Sequence, residues 1–126
     1  MENVASERTA LGRAAEQKFY ENGGQTLEQR EKLLIDALRE NPGDKVLWNL
    51  LGRMMMNRRD WHGGLICMRN ALRLDRDYAF ALTNLAIIYH GLGFDELAFG
   101  AAIVAMGVTE DTWCRKESEK ILREGK

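Results

Sequence analysis

The stretch that decides the fold is WNLLGRMM at residues 48–55, which recurs 34 residues later as LTNLAIIY at residues 82–89. At this shift Trp48 aligns with Leu82, so a large apolar residue recurs where one helix must fill the space between its neighbours. Gly52 aligns with Ala86, so a small residue recurs where two helix backbones must approach closely. A period of this length is typical of repeated helix-turn-helix units.

The same shift relates residues on both sides of this stretch. Gly64 aligns with Ala98 and Ala71 with Ala105, which predicts two further close approaches between helices. Leucine in place of Gly64 or Ala98 is therefore expected to force the paired helices apart. Applied toward the N-terminus, the same shift aligns Leu34, Ala37 and Pro42 with residues of the later copy, which indicates an earlier, weaker copy.

Composition agrees with one small helical domain. The chain has 126 residues, of which 45% are hydrophobic and 29% charged, with a net charge of −1. Its one proline, Pro42, lies in a predicted turn, so an all-α fold is predicted. Cys67 and Cys114 form no CxxC pair, which disfavours a disulfide scaffold or a metal site. The N-terminus has no secretory signal pattern, so a cytoplasmic location is expected.

Hydrophobic periodicity and breaker residues predict about seven helices. Thr26 and Gln29 have the spacing of a capping box, and Asp60 is the expected N-cap of the fourth helix. The apolar stretch at residues 78–108 is interrupted by polar residues and a glycine turn, so no membrane insertion is expected. The predicted helices cover residues 4–20, 26–40, 45–57, 61–74, 78–90, 94–106 and 111–122.

The segments LWNLLG at residues 47–52 and NALRLD at residues 70–75 resemble the tetratricopeptide repeat. The chain departs from that pattern at Met55, Gly64 and Arg76, where an aromatic residue, alanine and proline are usual. The resemblance implies a right-handed α-solenoid of antiparallel helix pairs in a single domain. Its parts would be a degenerate repeat at about 10–44, repeats at 45–78 and 79–112, and a capping helix at about 111–123.

The resemblance also implies that the first helix of each pair lines a concave groove that binds a peptide. Amide and guanidinium groups there suit a peptide backbone or a carboxylate. Some members of the family clamp a C-terminal carboxylate; Asn84 matches one such place, whereas Asn49 and Arg53 depart from it. Substitution of Asn84 or Arg53 is expected to weaken binding and to leave stability nearly unchanged. The predicted groove residues are Asn49, Arg53, Met56, Phe80, Thr83, Asn84, Ile87 and His90.

Residues able to carry catalysis are few. The two histidines, His62 and His90, are interpreted as residues at helix ends, and five positions along a helix separate His62 from Cys67 by about 140°. We therefore expect neither an enzyme nor a cofactor or metal site.

Charge is divided unevenly between the two clear repeats. Residues 45–78 contain seven basic and three acidic residues, a net charge of +4, whereas residues 79–112 contain four acidic and no basic residues, a net charge of −4. The arginines are scattered over helices and turns, so no nucleic-acid site is expected. The apolar residues of 78–108 exceed what one helix pair can readily cover, which predicts self-association or a covering partner; a fully internal core is the alternative.

These features favour a small cytoplasmic scaffold or adaptor that binds a peptide segment of another protein. The alternative is a dedicated chaperone that resembles the tetratricopeptide chaperones of type III secretion and keeps an export substrate in solution.

Overall fold

The structure, a computed structural model, describes residues 8–21 and 23–124, and every regular element in these two ranges is an α-helix. The all-α prediction is therefore confirmed for the part of the chain that is described. The helices are α1 (Ala10–Glu21), α2 (Leu27–Glu40), α3 (Lys45–Asn57), α4 (Trp61–Leu74), α5 (Ala79–Gly91), α6 (Asp95–Val108) and α7 (Thr112–Glu124).

Side-chain caps fix where several helices begin. Thr26 and Gln29 form the predicted capping box before α2, and the Asp60 carboxylate accepts a hydrogen bond from the Gly63 amide before α4. The predicted start of the first helix at residue 4 lies outside the described residues. Residues 8 and 9 are not helical. The Thr9 hydroxyl accepts a hydrogen bond from the Gly12 amide at 3.0 Å, which caps α1 and fixes its start at the next residue.

Successive helices pack against each other, most extensively α3 against α4 and α5 against α6. Helices two apart also touch, namely α1 with α3, α3 with α5 and α5 with α7. Gly64 lies where α4 meets α3 and α5: a Cβ atom on it would stand 3.2 Å from Met56 Cγ of α3 and 3.1 Å from Ile88 Cδ1 of α5. The close approach that the repeat predicts at Gly64 is confirmed.

The core is formed by apolar residues shared between neighbouring helices. One cluster joins α1 to α4, and its residues Leu34, Leu47 and Leu50 are almost completely buried. A second cluster joins α5, α6 and α7 around Ala86 and Ile121. The repeat pattern also predicts that Trp48, Leu51, Leu85 and Tyr89 are buried between the helices, and Leu51 is buried. The other three, Trp48, Leu85 and Tyr89, are only partly buried.

The described part of the chain contains no helix of the length and apolarity that crossing a membrane requires.

Candidate functional site

Helices α3, α5 and α7 line an open cavity of about 210 Å³, which we call the amide cavity. Four of the eight predicted groove residues meet there, two from α3 and two from α5. A tryptophan from the first turn of α7 completes the lining. The lining residues are Asn49, Arg53, Phe80, Asn84 and Trp113.

Two buried amide side chains contribute to the polar lining. Asn84 Nδ2 donates a hydrogen bond to Asn49 Oδ1 at 2.8 Å, and only 6% of Asn49 and 2% of Asn84 remain exposed. Alanine at Asn84 would leave the Asn49 oxygen buried without this donor, at a cost of about 1 to 3 kcal/mol. We therefore expect substitution of Asn84 to lower stability, in contrast to the expectation from the sequence.

An aromatic pair supplies the apolar part of the lining. The rings of Phe80 and Trp113 stack with centroids 6.1 Å apart and planes inclined by 23°. Both side chains keep about two fifths of their surface exposed, because they lie at the edge of the cavity. Trp113 is not among the predicted groove residues, although tryptophan is enriched at interfaces and stands out in the first turn of this highly charged helix.

Arg53 is the exposed cationic residue of the amide cavity. Among the described residues, none has a carboxylate oxygen within 4 Å of its guanidinium. The side chain also lines a second cavity, of about 260 Å³, so the two cavities adjoin at this residue. An unpaired guanidinium at this position is available to an acceptor on a ligand.

The second cavity, which we call the arginine cavity, lies between α1, the start of α2 and the end of α3. Three arginines, one asparagine and four apolar or aromatic residues line it, and no acidic residue does. The lining residues are Phe19, Tyr20, Leu27, Arg30, Arg53, Met54, Asn57 and Arg58.

The other four predicted groove residues do not reach the amide cavity. Thr83 is completely buried and Ile87 packs against the cluster that contains Ile121, because α7 lies on this part of α5. Met56 lies close to Gly64 within the core.

The fourth residue, His90, is exposed at the end of α5. Its Nδ1 atom lies 3.7 Å from Asp95 Oδ1. Thr83 is thus too deeply buried to line a groove, whereas Ile87 and Met56 are partly buried and, like His90, line neither cavity.

Burial limits the reactivity of the two cysteine thiols. Cys67 and Cys114 are free and buried, and burial raises the pKa of Cys67 to about 11, so its thiolate is scarce at neutral pH. His62 is exposed at the start of α4. Within residues 8–21 and 23–124, no group of three or more histidine, cysteine, aspartate or glutamate side chains is arranged to hold a metal ion.

Comparison with known proteins finds a partial similarity, and no family model matches the chain. The similar protein is Protein FlbA of Caulobacter vibrioides, 36% identical over 83 residues. The alignment covers 64% of this chain but only 14% of FlbA, so the chain corresponds to a small part of that protein's length.

Proposed function

We propose that this chain is a protein-interaction module of the tetratricopeptide type, a right-handed stack of antiparallel helix pairs that binds a peptide segment of a partner protein. The single observation that carries the proposal is the amide cavity, where polar and aromatic groups from three helices converge. Contacts between helices two apart support a stacked arrangement. The buried free thiols suit a reducing compartment, so the proposal includes a cytoplasmic location.

Each part of the amide cavity suits a different feature of a peptide. The amides of Asn49 and Asn84 supply directional donors and acceptors for a peptide backbone. The stacked rings of Phe80 and Trp113 offer an apolar surface for a side chain, and aromatic anchors of this kind dominate many interfaces. Arg53 can bond a carbonyl or carboxylate oxygen without first giving up an ion pair with another described residue.

Replacement of Arg53 by alanine is expected to weaken peptide binding roughly tenfold to a hundredfold, since a charged hydrogen bond is worth about 1 to 3 kcal/mol. Peptides selected from a random library on the purified protein would be measured by fluorescence anisotropy. The melting temperature is expected to stay nearly constant, because Arg53 is exposed and has no ion pair with the described residues.

Arg69→Ala is the matched control, because Arg69 is exposed on α4 and lines neither cavity. It removes the same charge and should change affinity less than twofold. If Arg53→Ala binds the peptide normally and Arg69→Ala loses affinity, the peptide binds on α4 instead, and the proposal is contradicted. Failure to select any peptide would also count against it.

The second candidate function is a chaperone that keeps an export substrate in solution, and the outer face of α6 favours it. Between 49% and 60% of each large apolar side chain on this face is exposed, where a monomer usually presents polar residues. The face, which we call the α6 face, consists of Leu97, Ile103 and Val104.

Sedimentation velocity is expected to show concentration-dependent association through the α6 face, because pairing two such faces removes apolar surface from water. Leu97→Gln combined with Val104→Gln should shift the protein toward the monomer and reduce binding of a hydrophobic dye. Ile66→Gln is the control, since Ile66 is equally exposed but lies on α4. A wild-type protein that is monomeric at every concentration and binds no dye would contradict this expectation.

A further inference from the structure

The three arginines that line the arginine cavity carry more positive charge than the nearby carboxylates balance. Of its three guanidiniums, only that of Arg58 has a carboxylate of the described residues within 4 Å, that of Glu31. This contact also raises the pKa of Arg58. Arg30 and Arg53 have no such partner. Two of the positive charges in the lining are therefore not balanced by a carboxylate of the described residues within 4 Å. Glu28 and Asp60 act on Arg58 from farther away.

Arg30 is held in place by neutral groups. Its guanidinium carbon lies 4.1 Å above the centre of the Phe19 ring, and Nη2 donates to the Phe19 carbonyl oxygen at 2.9 Å. The side chain is partly buried, and its Nε atom is buried without a hydrogen-bond partner among the described residues. A partly buried cation that is positioned but not neutralised favours an anion beside it.

We propose that the arginine cavity binds a phosphoryl group. A phosphoryl group carries a charge of about −1.5 to −2 at neutral pH, which matches two uncompensated guanidiniums better than a single carboxylate does. The Asn57 side chain, also in the lining, can donate a hydrogen bond to one of its oxygens.

The source of the phosphoryl group follows from the position of Arg53. This residue lines both cavities, so a chain bound in the amide cavity can extend a phosphorylated side chain into the arginine cavity. This assignment rests on the proposed function, whereas binding of the phosphoryl group itself does not.

The direct test is titration of the ¹⁵N-labelled protein with inorganic phosphate at pH 7.5 and constant ionic strength. Saturable shifts are expected for the side-chain resonances of Arg30, Arg53 and Asn57. Arg53→Gln should weaken this binding about tenfold, while Arg69→Gln, which makes the same charge change outside the cavity, should not alter it. Shifts that rise linearly with phosphate, or that sodium chloride reproduces, would overturn the proposal. Tighter saturation by acetate would show a carboxylate site instead and would equally overturn it.

A second experiment identifies the source. A peptide selected for the amide cavity would be compared with versions that carry phosphoserine at each position in turn. One position is expected to bind at least tenfold more tightly when phosphorylated, and Arg53→Gln should abolish that gain. Saturable binding of inorganic phosphate without any gain from phosphoserine would assign the cavity to a free phosphate compound and overturn the link to a peptide. If no peptide can be selected, the proposed function fails while the phosphate titration still decides the cavity.

Discussion

Replacement of Asp44 by alanine is expected to lower the free energy of unfolding by about 2 to 4 kcal/mol, measured by urea denaturation. The Asp44 carboxylate is only 3% exposed and caps α3 by accepting the amides of Val46 and Leu47 at 3.0 and 3.3 Å. It also accepts a hydrogen bond from Arg8 Nε at 3.1 Å, which connects the segment before α1 to the start of α3. Alanine removes the cap and leaves a partly buried guanidinium without this partner.

Asp60→Ala provides a matched control, because it also removes an aspartate N-cap but at an exposed position. Asp60 is in no ion pair with a described residue, so its loss should cost about 1 kcal/mol. Asp44→Asn, which keeps an acceptor oxygen and removes the charge, should fall between the two alanine variants. Equal costs for Asp44→Ala and Asp60→Ala would show that burial and the Arg8 contact contribute nothing.

Local signals in the sequence were sufficient to place the helices. Thr26 and Asp60 cap α2 and α4 as their spacing predicts, and α3 and α4 cover the same residues as predicted. Such caps depend on residues within one turn of the helix, so the sequence alone reveals them. The Asp44 cap is equally local, since its carboxylate accepts hydrogen bonds from the Val46 and Leu47 amides, whereas its ion pair with Arg8, 36 residues earlier, has no signal in the sequence.

The amide cavity was predictable only in part, for a reason that involves α7. Asn49, Arg53, Phe80 and Asn84 come from two helices related by the repeat, so helical geometry places them together. The position of α7 depends on tertiary packing outside the repeat. For this reason Trp113 was missed and the burial of Thr83 and Ile87 was not foreseen.

The arginine cavity gave no recognisable signal in the sequence. Its residues come from three helices and the turn after α3, and Arg30, Arg53 and Arg58 follow no common spacing. Scattered arginines are usually solvated, and only the contact of Arg30 with Phe19 and the absence of acids from the lining distinguish this group. A cluster of this kind is recognised from tertiary structure rather than from a motif.

Leucine in place of Gly64 is expected to lower the free energy of unfolding by about 1 to 3 kcal/mol through overpacking. The Cβ atom alone would stand 3.1 Å from Ile88 Cδ1, and Ile88 is completely buried, so it has little room to move away. The Gly52 carbonyl oxygen lies 3.5 Å from the same point, so the larger side chain would press α4 away from both α3 and α5. Urea denaturation of the purified variant measures the change.

Gly100→Leu tests whether this cost comes from the close approach rather than from leucine itself. Gly100 lies within α6, and a Cβ atom there would meet nothing within 4 Å. At such a position the higher helix propensity of leucine should stabilise the fold by about 0.5 to 1 kcal/mol. The two variants make the same chemical change in the middle of a helix, so opposite signs can arise only from what surrounds each glycine. A cost at Gly64 no larger than the change at Gly100 would mean that α3, α4 and α5 are not held at the separation described, and the repeat would lose its explanation for a small residue at this position.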